Sequence, residues 1–320
     1  MSTSAVELCG LELAHPVING SGTFDAIAAQ RAFGEALVRE FPFAAFVSKT
    51  ITLRPRAGNP PPRLWEASTG LINSIGLPNR GLDGYLAEDL PALARLPVPL
   101  ITNVMGSTAA EISQMLQTCD ACEEIAAIEL NVSCPNVQTG LDIGADPRQL
   151  EEVVRAVRPS TGKPLIVKLT PNAADVAECA LAAQEGGADA VSLINTLRAM
   201  ALAPRPRGLQ GVRGSVHASA ASPAAAAGPS RPWLGAGTGG LSGPAIRAVA
   251  LAQVAAVAAR VQIPVIGMGG VQCAAHARDL LDVGATLVAV GTESFRDPLV
   301  GARIARDLAS SRPDSPRETG

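Results

Sequence analysis

"IAAIELNVSCPN", residues 125–136, decides how this chain is read. Its first eight residues form a nearly continuous apolar run of strand length. The run then stops at a hydroxyl, a thiol, a proline and an amide. A strand covered on one face alternates apolar and polar residues, whereas a run without alternation marks a parallel strand covered on both faces. Working outward, seven more such runs appear: "PVING" (16–20), "FAAFVSK" (43–49), "PLITNVM" (99–105), "PLIVKLT" (164–170), "ADAVSLIN" (188–195), "IPVIGMG" (263–269) and "TLVAVGT" (286–292).

Helical patterns separate the runs, over 25–40, 82–95, 108–122, 147–158, 173–186, 244–260, 273–282 and 298–309. "TAAE" at 108–111 is a capping box, and Asp146-Pro147 and Asp297-Pro298 each set a cap before a proline at the first helical position. Strand and helix repeated eight times is the rhythm of an α/β (β/α)8 TIM barrel. An open doubly wound sheet is the alternative. It would carry a glycine-rich nucleotide turn after the first strand, and "NGSGTF" (19–24) is only a weak version of one.

The chain has 320 residues, 47% of them hydrophobic, with a net charge of −3. That length suits one barrel domain over 1–312 followed by a disordered tail, 313–320. Ala, Pro, Ser and Gly dominate residues 205–230, which read as a low-complexity insertion, disordered or acting as a lid. The charge offers no basic surface for nucleic acid, and no apolar stretch is long enough to span a membrane. No secretory signal is evident, so the six scattered cysteines read as free thiols in a reducing cytoplasm. Cys119 and Cys122 form a lone CxxC in a helical pattern, which is a packed helix face rather than a metal site.

Chemistry in this fold sits where the strands end. In chain order the ends deliver "SGTF" (21–24), "SKT" (48–50), Asn103, "NVSCPN", Lys168, Asn195-Thr196, "GMGG" (267–270) and "GT" (291–292). The chain holds 23 Arg but only three Lys, and two of these, Lys49 and Lys168, fall at strand ends. A strand-end lysine can simply reach solvent. Two on one rim, in a chain that otherwise uses arginine, suit a carboxylate or a ring that becomes anionic. The glycines after strands seven and eight serve tight turns or a phosphate, which the fold binds there. Asn73, Asn79, Asn103, Asn131, Asn136 and Asn195 accumulate as well, and several amides on one pocket suit a planar ligand with carbonyl and N–H edges, such as a pyrimidine. Cys134 is a buried spacer, a nucleophile or a base. The histidines, 15, 217 and 276, are poor partners for a nucleophile. Proton abstraction needs only a thiol with a suitable pKa, so a general base is the preferred reading.

The segments "PVINGSGTF", "SKTIT", "GNPPPR", "NSIGLPN", "NVSCPN", "KLTPN", "GTGGLSGPAI" and "GMGG" together resemble dihydroorotate dehydrogenases of class 1, and most of all the catalytic subunit of the NAD-linked class 1B. The resemblance implies an FMN-binding barrel, one FMN per chain, oxidising dihydroorotate to orotate in pyrimidine biosynthesis. Cys134 would remove the C5 proton with Lys49 beside it, and the C6 hydride would pass to the flavin. Lys49, Asn73, Ser74, Ile75, Gly76, Leu77, Asn131, Asn136, Asn195 and Thr196 would hold the substrate. Ser21, Lys49, Thr50, Asn103, Asn131, Lys168, Ile194, Gly243, Gly269, Gly270, Gly291 and Thr292 would hold FMN. The class further implies a homodimeric core, or a heterotetramer with an electron-transfer subunit that carries FAD and [2Fe-2S] and reduces NAD. The membrane class has serine in place of Cys134. Three departures stand out: Gln138 where the family often has lysine, the thin glycine pattern of "TGLDIGAD", and the 205–230 insertion. The alternatives are a dihydropyrimidine dehydrogenase-type flavoprotein acting on uracil or thymine, a fumarate-linked class 1A enzyme, and a non-catalytic barrel binding a phosphorylated ligand.

Overall fold

A computed structural model of the chain describes residues 5–133, 143–203 and 231–310. The 205–230 insertion and the 313–320 tail lie outside the described residues. The strands run in chain order as β1 (Val6–Leu8), β2 (Leu11–Leu13), β3 (Val17–Asn19), β4 (Phe46–Val47), β5 (Leu64–Ala67), β6 (Gly70–Asn73), β7 (Leu100–Val104), β8 (Ile125–Asn131), β9 (Leu165–Lys168), β10 (Ala190–Leu193), β11 (Leu197–Ala199), β12 (Gly239–Ser242), β13 (Val265–Met268) and β14 (Leu287–Val290). The α-helices are α1 (Ala26–Phe33), α2 (Glu35–Arg39), α3 (Gly81–Gly84), α4 (Leu90–Leu93), α5 (Ala109–Asp120), α6 (Pro147–Val157), α7 (Val176–Glu185), α8 (Arg247–Ala258), α9 (Ala274–Asp282) and α10 (Val300–Ser310).

The eight apolar runs become one parallel sheet ordered β3-β14-β13-β10-β9-β8-β7-β4, with helices following its strands. Together they form the expected (β/α)8 barrel. The sheet's two ends, β3 and β4, meet through one backbone hydrogen bond and a side-chain bridge. Ala44 N donates to Val17 O at 2.9 Å. The buried Asn19 amide bridges the rest: its Nδ2 donates to Val47 O at 2.8 Å, and its Oδ1 accepts from Val47 N at 2.9 Å. One side chain thus performs the two bonds of a ladder rung.

Strand alternation sorts the core into two. Ile18, Val47, Ile101, Ala127, Ile166 and Ala190 face inward and pack with Leu8 and Leu13, so the β1–β2 hairpin plugs the barrel's lower end. Leu100, Ile128, Leu130, Val167, Val191 and Leu193 face outward, against helix residues such as Leu116, Leu150 and Val254. A second, antiparallel sheet of four strands, β11-β12-β6-β5, was not expected.

The helices follow the caps. Thr108 Oγ1 accepts from Glu111 N at 3.2 Å, while Glu111 reaches back to Ser107 N at 2.8 Å. Asp146 accepts from Arg148 N and Gln149 N, at 2.9 and 3.3 Å. Two expected helices are interrupted. That over 25–40 breaks at Gly34, which has φ 60°. That over 82–95 widens into a π-helical stretch, Tyr85–Asp89, just before Pro91. A proline lacks the N–H for the carbonyl four residues back and crowds it, so the preceding turn opens. Among the described residues no helix is long and apolar enough to cross a membrane, and no cluster of His, Cys, Asp or Glu is arranged to hold a metal ion.

Candidate active site

Residues two apart on a strand share a face. Because Ile101, Ala127, Ile166 and Ala190 point inward, the next inward positions toward the strand ends are Asn103 on β7, Glu129 and Asn131 on β8, Lys168 on β9 and Ser192 on β10. All five are buried. A polar layer therefore replaces the apolar one where the strands finish. Glu129 is at its centre. Its register partner Asn103 donates from Nδ2 to Oε1, and Ser192 Oγ donates to Oε2 at 2.7 Å, reaching across β9. The Asn103 backbone N donates to Ser48 Oγ at 3.0 Å. Asn103 Oδ1 is left buried with no hydrogen-bond partner. Such an acceptor costs about 1–3 kcal/mol until a donor meets it.

On the β3–β4 side of the mouth, Ser21 Oγ donates to Ser48 O at 2.8 Å and lies 3.5 Å from Thr50 Oγ1. Lys49 stays exposed, its stem passing beside Gly22. Desolvation nevertheless lowers the Lys49 pKa from the ordinary lysine range, with Asp25 opposing the effect and Arg63 adding to it.

Past β10, Ile194 N donates to Met268 O at 3.0 Å. Asn195 Nδ2 donates to Ser133 Oγ at 2.9 Å, and Asn131 Oδ1 accepts from Ser133 N at 3.1 Å. The first half of the 131–136 motif is thereby tied to the exit of β10. Cys134 and Asn136 lie outside the described residues, as does Gln138.

After β13, Gly269 and Gly270 have φ of 136° and 68°. A Cβ on Gly269 would lie 2.5 Å from Ala250 Cβ, and one on Gly270 2.7 Å from Arg247 Cβ. Only glycine permits this turn against the first turn of α8. Helix N-termini present unpaired N–H groups and a positive dipole end, which suits an anion. Gly243 leads into α8 through the turn Pro244–Ile246, and Thr292 Oγ1 donates to Ser242 Oγ at 2.8 Å. Gly291 and Thr292 thus join the same side.

The antiparallel sheet brings in the remaining candidates. Asn73 ends β6 and donates to Gly240 O at 3.3 Å. Gly240 approaches Thr196 so closely that a Cβ would lie 1.9 Å from Thr196 Oγ1. Beyond β6, Ser74 Oγ accepts from Asn59 Nδ2 and Ile75 O from Asn59 N, both at 3.0 Å. Gly76 and Leu77 follow with φ of 74° and 54°.

Other polar and aromatic residues are engaged elsewhere. Asn79 bonds to Leu77 and Gly81 in its own loop and to Thr52 in the segment after β4, a staple between the two. Phe24 packs edge-on against Phe41 and Phe43. Lys163 Nζ donates to Cys122 O and Ile125 O, at the opposite end of β8 from the mouth. Cys119 is fully buried on the inner face of α5, and desolvation pushes its thiol up to about 12. Sequence reasoning missed Glu129, Ser192 and Asn19. Each leaves only a faint mark in the sequence, a polar residue inside an apolar run.

A sequence model of the family described as dihydroorotate dehydrogenase matches residues 3–311. The "Dihydroorotate dehydrogenase B (NAD(+)), catalytic subunit" of Geotalea uraniireducens (strain Rf4) is 42% identical over 305 residues, spanning 95% of this chain and 91% of its own. The proteins of the same description from Geobacter metallireducens (strain ATCC 53774 / DSM 7210 / GS-15) and Desulforudis audaxviator (strain MP104C) are 40% and 42% identical, with the same shares covered. With a matching model over nearly its whole length and relatives this similar, the chain belongs to the dihydroorotate dehydrogenase family.

Proposed function

We propose that the chain oxidises dihydroorotate to orotate in pyrimidine biosynthesis, with FMN held in the barrel mouth and electrons passed to NAD through a partner subunit. The observation that carries the reading is the buried polar layer of Asn103, Glu129, Asn131, Lys168 and Ser192 at the strand ends. A stable barrel has no need of such a layer, and a polar heterocycle does. The residues present fit FMN on two points. The unpartnered Asn103 Oδ1 suits a ring N–H, and the Gly269–Gly270 turn at the start of α8 suits a phosphate.

When bound, FMN supplies the ring that accepts a hydride. Ser21, Lys49, Thr50, Asn103, Asn131, Lys168 and Ile194 are the residues to surround that ring, and Gly243, Gly269, Gly270, Gly291 and Thr292 to hold the phosphate. Lys49, Asn73, Asn131, Asn136, Asn195 and Thr196, with the Ser74–Leu77 loop, are assigned to the substrate. Lys49 offers the ammonium for its carboxylate. Cys134 is assigned the proton from the substrate carbon, a role that requires a thiol with a pKa near the working pH. The relatives' description as a catalytic subunit supports a partner, here an electron-transfer subunit with FAD and [2Fe-2S], around a homodimeric core in the cytoplasm.

The purified protein should be yellow. Dihydroorotate added without oxygen should bleach it, and dihydrouracil should not. The opposite preference would favour a uracil- or thymine-reducing enzyme, and a colourless protein that takes up no FMN would favour a binding barrel. Cys134→Ala should keep the flavin and slow bleaching by about 10²–10⁴-fold at neutral pH, the usual contribution of a general base.

A further inference from the structure

We propose that Glu129 is a positioning residue that turns the side-chain amide of Asn103, so that Oδ1 rather than the NH2 is offered to the flavin ring and a ring N–H is selected. The inference rests on the reading that FMN occupies the mouth. An asparagine amide is nearly symmetric in shape, and its hydrogen-bond partners decide which end faces where. The main chain of Asn103 is already fixed in the β7–β8 ladder and by Ser48 Oγ at 3.0 Å. Two side-chain torsions remain, and Glu129 sets the terminal one. One carboxyl oxygen accepts from Asn103 Nδ2. Ser192 Oγ, 2.7 Å away, takes the other. The oxygen facing Asn103 acts as the acceptor, so the amide NH2 faces it. Oδ1 then points elsewhere, buried and unpartnered. A carboxyl that is itself only 2% exposed, deep in a barrel, is costly to keep. Holding one amide in one orientation is a reason to keep it.

The test is a polarity swap across the pair, read on apoprotein reconstituted with FMN. Asn103→Asp alone sets two carboxyls against each other with no donor between them, and FMN affinity should fall at least tenfold. Adding Glu129→Gln rebuilds the pair in reverse. The new amide at 129 donates to the new carboxylate at 103 and accepts from Ser192, while the second oxygen at 103 stands where Oδ1 stood. The double variant should recover FMN affinity to within about threefold of wild type. Its flavin midpoint potential should become more negative than wild type, because a carboxylate now stands one side chain closer to the ring. A double variant that binds more weakly than Asn103→Asp, or an Asn103→Asp single variant that binds as wild type does, overturns the proposal. If Asn103→Asp does not fold, Glu129→Gln alone decides. Ser192 can donate or accept, so the new amide and Asn103 can both turn, and the preference for FMN over FMN methylated at ring N3 should narrow at least threefold. An unchanged preference overturns the assignment. Wild-type protein that binds no FMN would instead sink the functional reading.

Discussion

Lys49 is the residue whose environment gives the sharpest pH prediction. Its pKa is depressed, chiefly by desolvation. A lysine depressed in the folded state releases its proton earlier than the same lysine in the unfolded chain. Its desolvation cost is therefore present below the folded pKa and is relieved as pH rises between the folded and unfolded values. A bound carboxylate favours the charged form, so orotate affinity should fall as pH climbs through the depressed pKa. That inflection should lie below the ordinary lysine value of about 10.4. Lys49→Arg should abolish the inflection and weaken binding at neutral pH, because a planar guanidinium does not replace a compact ammonium. Titrating the flavin spectrum with orotate across pH checks both. An inflection unchanged in Lys49→Arg would remove the lysine from the carboxylate site. The thiols divide in a related way. Burial pushes Cys9 and Cys179 to about 11 and Cys119 to about 12, so all three should resist alkylation at neutral pH. The two strand-end lysines were legible because arginine is the chain's common cation. Glu129 was not, because one carboxylate in an apolar run reads as a blemish until its partners on β7 and β10 are known.

At the level of elements, caps and strands were legible and interruptions were not. Thr108 and Asp146 announce their helices through local hydrogen bonds, which sequence spacing encodes. Thr108→Ala should cost about 1 kcal/mol, the usual value of an N-cap, measured by urea unfolding. The breaks at Gly34 and before Pro91 depend on a glycine and a proline that sequence patterns tolerate in either state. The antiparallel sheet was invisible for a different reason. Its strands β6 and β12 are short and glycine-bearing, and their pairing joins segments far apart in the chain. Gly70, Gly239 and Gly240 are there because adjacent segments of the chain leave no room for a Cβ. Asn19 closes the barrel where β3 and β4 share no strand ladder. Asn19→Leu would leave Val47 N–H and C=O buried without partners, at about 1–3 kcal/mol each. A loss of about 2–5 kcal/mol in unfolding free energy is expected, and a loss below 1 kcal/mol would show that neighbouring backbone bonds suffice.

The whole molecule separates stability from chemistry along the barrel axis. The lower end is plugged by the β1–β2 hairpin through Leu8 and Leu13, each 1% exposed. The polar layer and glycine turns occupy the other end. Leu13→Ala should cost about 2–5 kcal/mol, typical of a buried leucine, yet leave FMN affinity unchanged. Urea unfolding and flavin titration of the same variant test the separation. The barrel as a whole was legible because eight uninterrupted apolar runs leave few other architectures. The hairpin was read past, since a six-residue pairing at the chain start resembles any exposed lead-in. A ring whose last rung is a single side chain has a defined place to part. Deuterium uptake at the Val47 amide should therefore run ahead of uptake at Leu130 and Val167, where neighbouring strands are laced on both sides. The lag between those sites would time the opening of the circle.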